Sequence, residues 1–152
     1  MVNSNGVAGP DSTQEPTLLF FDGVCNLCNA TVDFLIRADR RGRLRYGSLQ
    51  GRTAAELLPT LPGGNGLASP DGSDPGTLVL VRGGRVFTRS SAALRALALT
   101  GGANRVFALF LVIPRPLRDA VYSWVARHRY RWFGRRETCR LPTQSEKSLF
   151  LP

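Results

Sequence analysis

Short uninterrupted apolar runs alternate along the chain with longer stretches of helical period. Thr17–Phe21 is apolar, follows a proline and predicts a buried strand that Asp22-Gly23 breaks. From Val24 or Cys25 to about Arg40 the period becomes helical. Leu27, Thr31, Phe34 and Ala38 line one stripe, with Cys28, Val32 and Leu35 beside it. Arg40-Arg41-Gly42 suits the end of such a helix. Leu44–Ser48 alternates weakly and predicts a second strand, parallel to the first by a right-handed crossover. A short helix is expected near Arg52–Leu58. Thr77–Arg82 is the clearest strand, and Gly83-Gly84 gives the two-residue turn to its hairpin partner Arg85–Thr88.

Ser90 or Ser91 can cap a helix through Leu99, which Gly101-Gly102 stops. A further apolar helix is expected near Asn104–Val112. The last helix starts near Pro116, with Leu117, Ala120, Val121, Trp124, Val125 and His128 at helical spacing. From Arg129 onward no pattern assigns an element. The order β-α-β-α-β-β-α plus C-terminal helices defines an α/β fold with the element order of thioredoxin. One domain over residues 17–142 is expected. It would carry a loose tail at 1–16, a long Gly/Pro-rich loop at 59–76 and a C-terminal tail at 143–152. The loop reads either as a functional segment or as a variable surface insertion.

Composition narrows the function classes. With 152 residues the chain can bury a full core, so its 3 cysteines are not needed as staples. An apolar content of 43% with 20% charged residues is that of a globular domain. The longest apolar run, Val106–Ile113, is far short of a membrane span. The N-terminal residues lack the basic start and apolar core of a secretory signal, so a reducing cytoplasm is the expected compartment. There, a close cysteine pair points to catalysis or metal binding rather than to a structural disulfide.

Cys25-Asn26-Leu27-Cys28 falls between the first strand and the first helix. Residues three apart on a helical turn lie about 5 Å apart, within the ~4.4–6.8 Å that a disulfide spans. Cys25 would sit at the helix N-terminus, where free N–H groups and the dipole can draw a thiol pKa from about 8.5 toward 7. The carboxyl end of a parallel strand is also where α/β sheets place ligands. The expected chemistry is thiol–disulfide exchange. Cys25, the exposed N-terminal thiol of the pair, attacks a substrate disulfide. Cys28, one turn deeper, resolves the mixed disulfide. Asp22 reads in two ways: as a carboxylate that moves the Cys28 proton, or as a turn residue before Gly23.

These residues carry a resemblance. Leu18-Leu-Phe-Phe-Asp-Gly-Val-Cys-Asn-Leu-Cys-Asn29 resembles the signature of the DCC family of thiol–disulfide oxidoreductases, named for an Asp and two Cys that match Asp22, Cys25 and Cys28. Asp39, Tyr46-Gly-Ser-Leu-Gln50, Arg118-Asp-Ala-Val-Tyr122 and Arg127-His-Arg-Tyr-Arg-Trp-Phe-Gly134 support it. The resemblance spans about residues 17–142 and implies a thioredoxin-like fold and redox use of the pair; no cofactor is expected. Two departures from thioredoxin itself stand out. Asn26-Leu27 replaces Gly-Pro between the cysteines, and the nearest candidate for the cis-proline facing them is Pro75.

Rival readings use other residues. Cys25, Cys28, His128 and Cys139 are a possible zinc set, although His128 and Cys139 are eleven positions apart. The cysteines could also be a structural pair of small buried residues. Cys139 lies in a basic setting that favours its thiolate, and otherwise is a bystander. The formal charge of +9 concentrates toward the C-terminus, with eight arginines between 115 and 140 interleaved with Trp124, Tyr130, Trp132 and Phe133. That region reads as a solvated face, or as a surface for an acidic protein or a membrane. Nucleic acid is not expected, because no nucleic-acid motif accompanies it. The expected substrate is a disulfide-containing protein or small thiol.

Overall fold

The computed structural model describes residues 16–23, 25–68, 77–135 and 142–151. Within them lie β1 (Thr17–Phe21), α1 (Asn26–Ala38), β2 (Leu44–Ser48), α2 (Arg52–Leu57), β3 (Val79–Arg82), β4 (Arg85–Thr88), α3 (Arg89–Leu99) and α4 (Arg115–Phe133). A single 3₁₀ turn, Leu58–Thr60, continues α2, and successive 3₁₀ turns over Gly102–Val112 join α3 to α4.

The sheet order is β2-β1-β3-β4. β1 pairs parallel with β2, Phe21 opposite Ser48, and antiparallel with β3, Leu19 opposite Leu80. This is the mixed sheet of a thioredoxin-like α/β fold, and the element order matches the one legible in the sequence. β1 is central, which explains why both of its faces are apolar. Leu19 and Phe21 face α1 and α3, where they meet Val32, Leu35, Ala92 and Ala96. Phe20 faces the opposite way, onto Leu49, Ala54 and Leu58. Gly47 is required beneath Phe20, because a Cβ there would come within 2.8 Å of the ring.

Several elements depart from the sequence reading. The 59–76 loop is partly packed: Leu61, Leu67 and Ala68 lie against the lower core, and a Cβ on Gly64 would sit 2.0 Å from the Leu58 carbonyl. Thr77 and Leu78 leave the ladder of β3. The Leu78 N–H instead bonds the Tyr122 hydroxyl at 2.8 Å, and the Leu78 carbonyl takes the Arg89 N–H. α3 starts at Arg89 with Thr88 as an N-cap that makes no side-chain bond. Ser90 and Ser91 therefore do not cap it. They are buried and turn to α4, where Arg118 reaches both hydroxyls. Asn104–Val112 is wound as 3₁₀ rather than α, and none of it is buried. Leu149 and Leu151 bond the backbone of Tyr46, so the C-terminal segment lies along the outer edge of β2.

The largest difference is in α4. Its apolar positions Leu117, Val121 and Trp124 are exposed, while Tyr122, Val125, Ala126 and Arg129 turn inward. The helix also runs past Arg129 to Phe133, where no element was expected. Arginine is a good helix former, so Arg127–Arg131 continues the helix although it breaks the apolar pattern. Pro75 and Cys139 lie outside the described residues.

Candidate active site

The carboxyl ends of the parallel strands β1 and β2, the first turn of α1 and the last two turns of α4 converge on one site. Cys25 is the N-cap of α1, with extended backbone, and its sulphur accepts the Cys28 N–H at 3.4 Å. A sulphur thus stands where a Ser or Asp oxygen commonly caps a helix. The neighbouring Cys28 thiol is the main influence that pulls the Cys25 thiol from an ordinary 9.0 down to about 7. The Cys28 N–H and the positive charge of Arg129 help, while burial and the Asp22 charge oppose it. The neighbouring Cys25 sulphur, together with burial, pushes the Cys28 thiol far up. The two sulphurs are therefore electrically unlike: one is poised to ionise near neutrality, the other holds its proton. Both are free thiols.

Exposure runs opposite to expectation. Cys25 is 0% exposed and Cys28 is half-buried. The chain beyond α4 passes Cys25. Arg135 pairs antiparallel with it, Asn26 N–H bonds the Gly134 carbonyl at 3.4 Å, and the Asn26 side-chain amide bonds the Phe133 carbonyl at 2.8 Å. Cys28 instead lines a small apolar cleft of about 100 Å³ with Leu27, Thr31, Tyr122, Val125 and Arg129. Ala93, Tyr122 and Val125 also line a wider apolar groove of about 460 Å³ between α3, the 3₁₀ segment and α4.

Asp22 closes β1 and is 1% exposed. One carboxylate oxygen accepts from the Gln50 amide at 3.0 Å. The other accepts from the Tyr130 hydroxyl and is ion-paired with Arg129 at 3.2 Å. Arg129 itself is 2% exposed. Gln50 is held in turn by Ser48 and by the Gly23 N–H. Burying both charges is costly, and removing one partner strands the other. The network therefore ties α4 to the carboxyl ends of β1 and β2. Across it, Arg129 favours ionisation of both thiols and Asp22 disfavours it.

The sequence profile of the DCC1-like thiol-disulfide oxidoreductases matches residues 19–135, a span that holds every residue of this site. The chain belongs to the DCC1-like thiol-disulfide oxidoreductase family. It is 43% identical over 135 residues to YuxK, an uncharacterized protein of Bacillus subtilis (strain 168), covering 89% of this chain and 93% of that protein. It is also 37% identical over 125 residues to a chloroplastic DCC family protein of Arabidopsis thaliana, covering 82% of this chain and 69% of that one. No solved structure matches it.

In this DCC1-like protein, Cys25, Cys28 and Asp22 lie together at the end of β1, as the motif spacing suggested. Arg129, Tyr130 and Gln50 complete the site, and sequence reasoning placed none of them there. Two signals pointed to them. All three lie inside the stretches that carried the family resemblance. Tyr122, Ala126 and Arg129 also share one helical face, at spacings of four and three. The zinc set does not assemble among the described residues, which contain no group of three metal-ligating side chains. His128 is engaged elsewhere: Nδ1 lies 2.7 Å from the Trp124 carbonyl and the ring stacks on Trp132.

Proposed function

We propose that the protein exchanges disulfides through Cys25 and Cys28, with Cys25 as the nucleophile. The observation that carries this reading is the Cys25 sulphur at the N-cap of α1, receiving the N–H of Cys28 at 3.4 Å. A thiol near 7 is about half thiolate at neutral pH and still a competent nucleophile, since nucleophilicity falls only gradually with pKa.

The Cys25 thiolate attacks one sulphur of a substrate disulfide. A Cys25–substrate disulfide forms and the other substrate sulphur leaves as thiolate. The departing substrate thiolate takes the Cys28 proton, and the Cys28 thiolate then attacks the Cys25 sulphur in the field set by the Asp22–Arg129 pair. The products are a Cys25–Cys28 disulfide and the second substrate thiolate, so two electrons pass to the substrate. Run in reverse, the same steps oxidise a dithiol. Because Cys25 is buried, the attack needs a local opening, and the Gly134–Arg135 stretch beside Cys25 is the segment that yields. The apolar cleft at Cys28 suits an apolar group next to the substrate sulphur.

The test is a trapping experiment. Cys28→Ser protein mixed with a small aromatic disulfide should hold a stable adduct, which peptide mapping places on Cys25. Cys25→Ser protein should hold none on Cys28. An adduct confined to Cys28 in the wild-type chain would reverse the roles.

A further inference from the structure

The Gly102–Val112 segment reads GANRVFALFLV, yet none of its residues is buried. Val112 is 83% exposed and Leu109 67%, with Val106 half exposed. At its first turn the segment meets a pocket of about 490 Å³ lined by Arg37, Arg40, Arg41, Arg43 and Arg105, together with Thr100 and Asn104. All five arginines are exposed. The ion pairs Arg115–Asp119 and Arg129–Asp22 involve none of them. Asp39, the acid beside Arg40 in sequence, is buried and turns its carboxylate inward to the Leu44 N–H at 2.9 Å. Nothing in the lining of the pocket is acidic. A strong positive field therefore adjoins a segment whose exposed apolar ridge, Val106, Leu109 and Val112, runs about 12 Å at the ~2.0 Å rise per residue of a 3₁₀ helix.

We propose that this face docks the protein on an anionic phospholipid surface, the arginines on headgroup phosphates and the Val106–Leu109–Val112 ridge dipping among the acyl chains. Each half alone binds a bilayer weakly, and stable attachment takes two such signals. The pairing also discriminates against other occupants. Nucleic acid or an acidic protein would neutralise the arginines and leave Leu109 and Val112 in water. A second copy would cover the ridge while bringing five more arginines alongside the first five. Among the described residues no helix is long and apolar enough to cross a membrane, so the attachment is to the surface. The proposal does not depend on the roles given to the cysteines.

The test is sedimentation of the full reduced chain with vesicles of phosphatidylcholine alone, or mixed with phosphatidylglycerol. The expected result at 100 mM NaCl is binding to the anionic vesicles only, weakened at least tenfold at 500 mM NaCl. Leu109→Ser/Val112→Ser and Arg40→Glu/Arg41→Glu should each weaken it at least tenfold at an unchanged urea midpoint, because every altered side chain is exposed. Equal binding to both vesicle types, or binding to neither, overturns the proposal. So does a salt-resistant dimer that Leu109→Ser/Val112→Ser abolishes, or binding to DNA in place of vesicles.

Discussion

Replacing Cys25 with serine should make the stability of the reduced protein less dependent on pH, by an amount set by the cap geometry. Serine keeps the cap, since its hydroxyl can take the Cys28 N–H as the sulphur does. The substitution thus removes the ionisable group and keeps the cap, and it also lifts the influence of the Cys25 sulphur that raises Cys28. The Cys25 thiol is lowered in the fold, from 9.0 to about 7. For an acid with a depressed pKa the stabilisation is full above the unfolded value and is lost as pH falls through the folded one. Linkage between those two values gives almost nothing at pH 6.5 and about 2 kcal/mol at pH 8.5. Cys28 acts in the opposite sense: its raised pKa costs stability once the unfolded chain ionises near pH 9, so the useful window closes there. Urea melts of both proteins, fully reduced, should show the wild type gaining about 2 kcal/mol over Cys25→Ser between pH 6.5 and 8.5. That is a midpoint change on the order of 1 M at a typical slope near 2 kcal/mol/M. A gain below about 0.5 kcal/mol would show that the Cys25 thiolate is not stabilised by the fold, and the cap argument would fall.

Other consequences follow from the buried network and the core. Arg129→Met and Asp22→Asn should each destabilise by about 3–5 kcal/mol, because each strands a buried charge. The double variant should lose clearly less than the sum, and a double-mutant cycle in urea showing simple additivity would dissolve the pair. Gly47→Ala should cost about 1–3 kcal/mol by calorimetry, since the new Cβ meets the buried Phe20 ring at 2.8 Å and neither can retreat.

The parts of the fold legible from sequence are those in which one face alone decides. β1 is apolar on both faces because it is central, and the Gly83-Gly84 turn declares the β3–β4 hairpin through two positive φ values. The cysteine pair was legible because its spacing and its place after β1 are local facts. What was not legible depends on long-range charge. Arg129 looked like one more member of a solvated basic stretch. Only the fold brings it to Asp22, 107 positions away. α4 misled for the same reason. Its polar residues Arg118, Tyr122 and Arg129 find partners on α3, at Leu78 and at Asp22, so they turn inward and leave Leu117, Val121 and Trp124 outside. The exposure of the cysteines reversed because the chain after α4 returns to Cys25, beyond any pattern near the motif.

The central claim is that Cys25 and Cys28 form a reversible redox couple, and thiol counting tests it most directly. The native chain is equilibrated across glutathione buffers from reducing to oxidising, quenched, and its thiols are counted with metal content measured on the same sample. The account predicts three thiols falling to one in a single two-electron step, with Cys25 and Cys28 joined by peptide mapping and no bound zinc. Three thiols that persist to the oxidising end, or one zinc per chain, would contradict it.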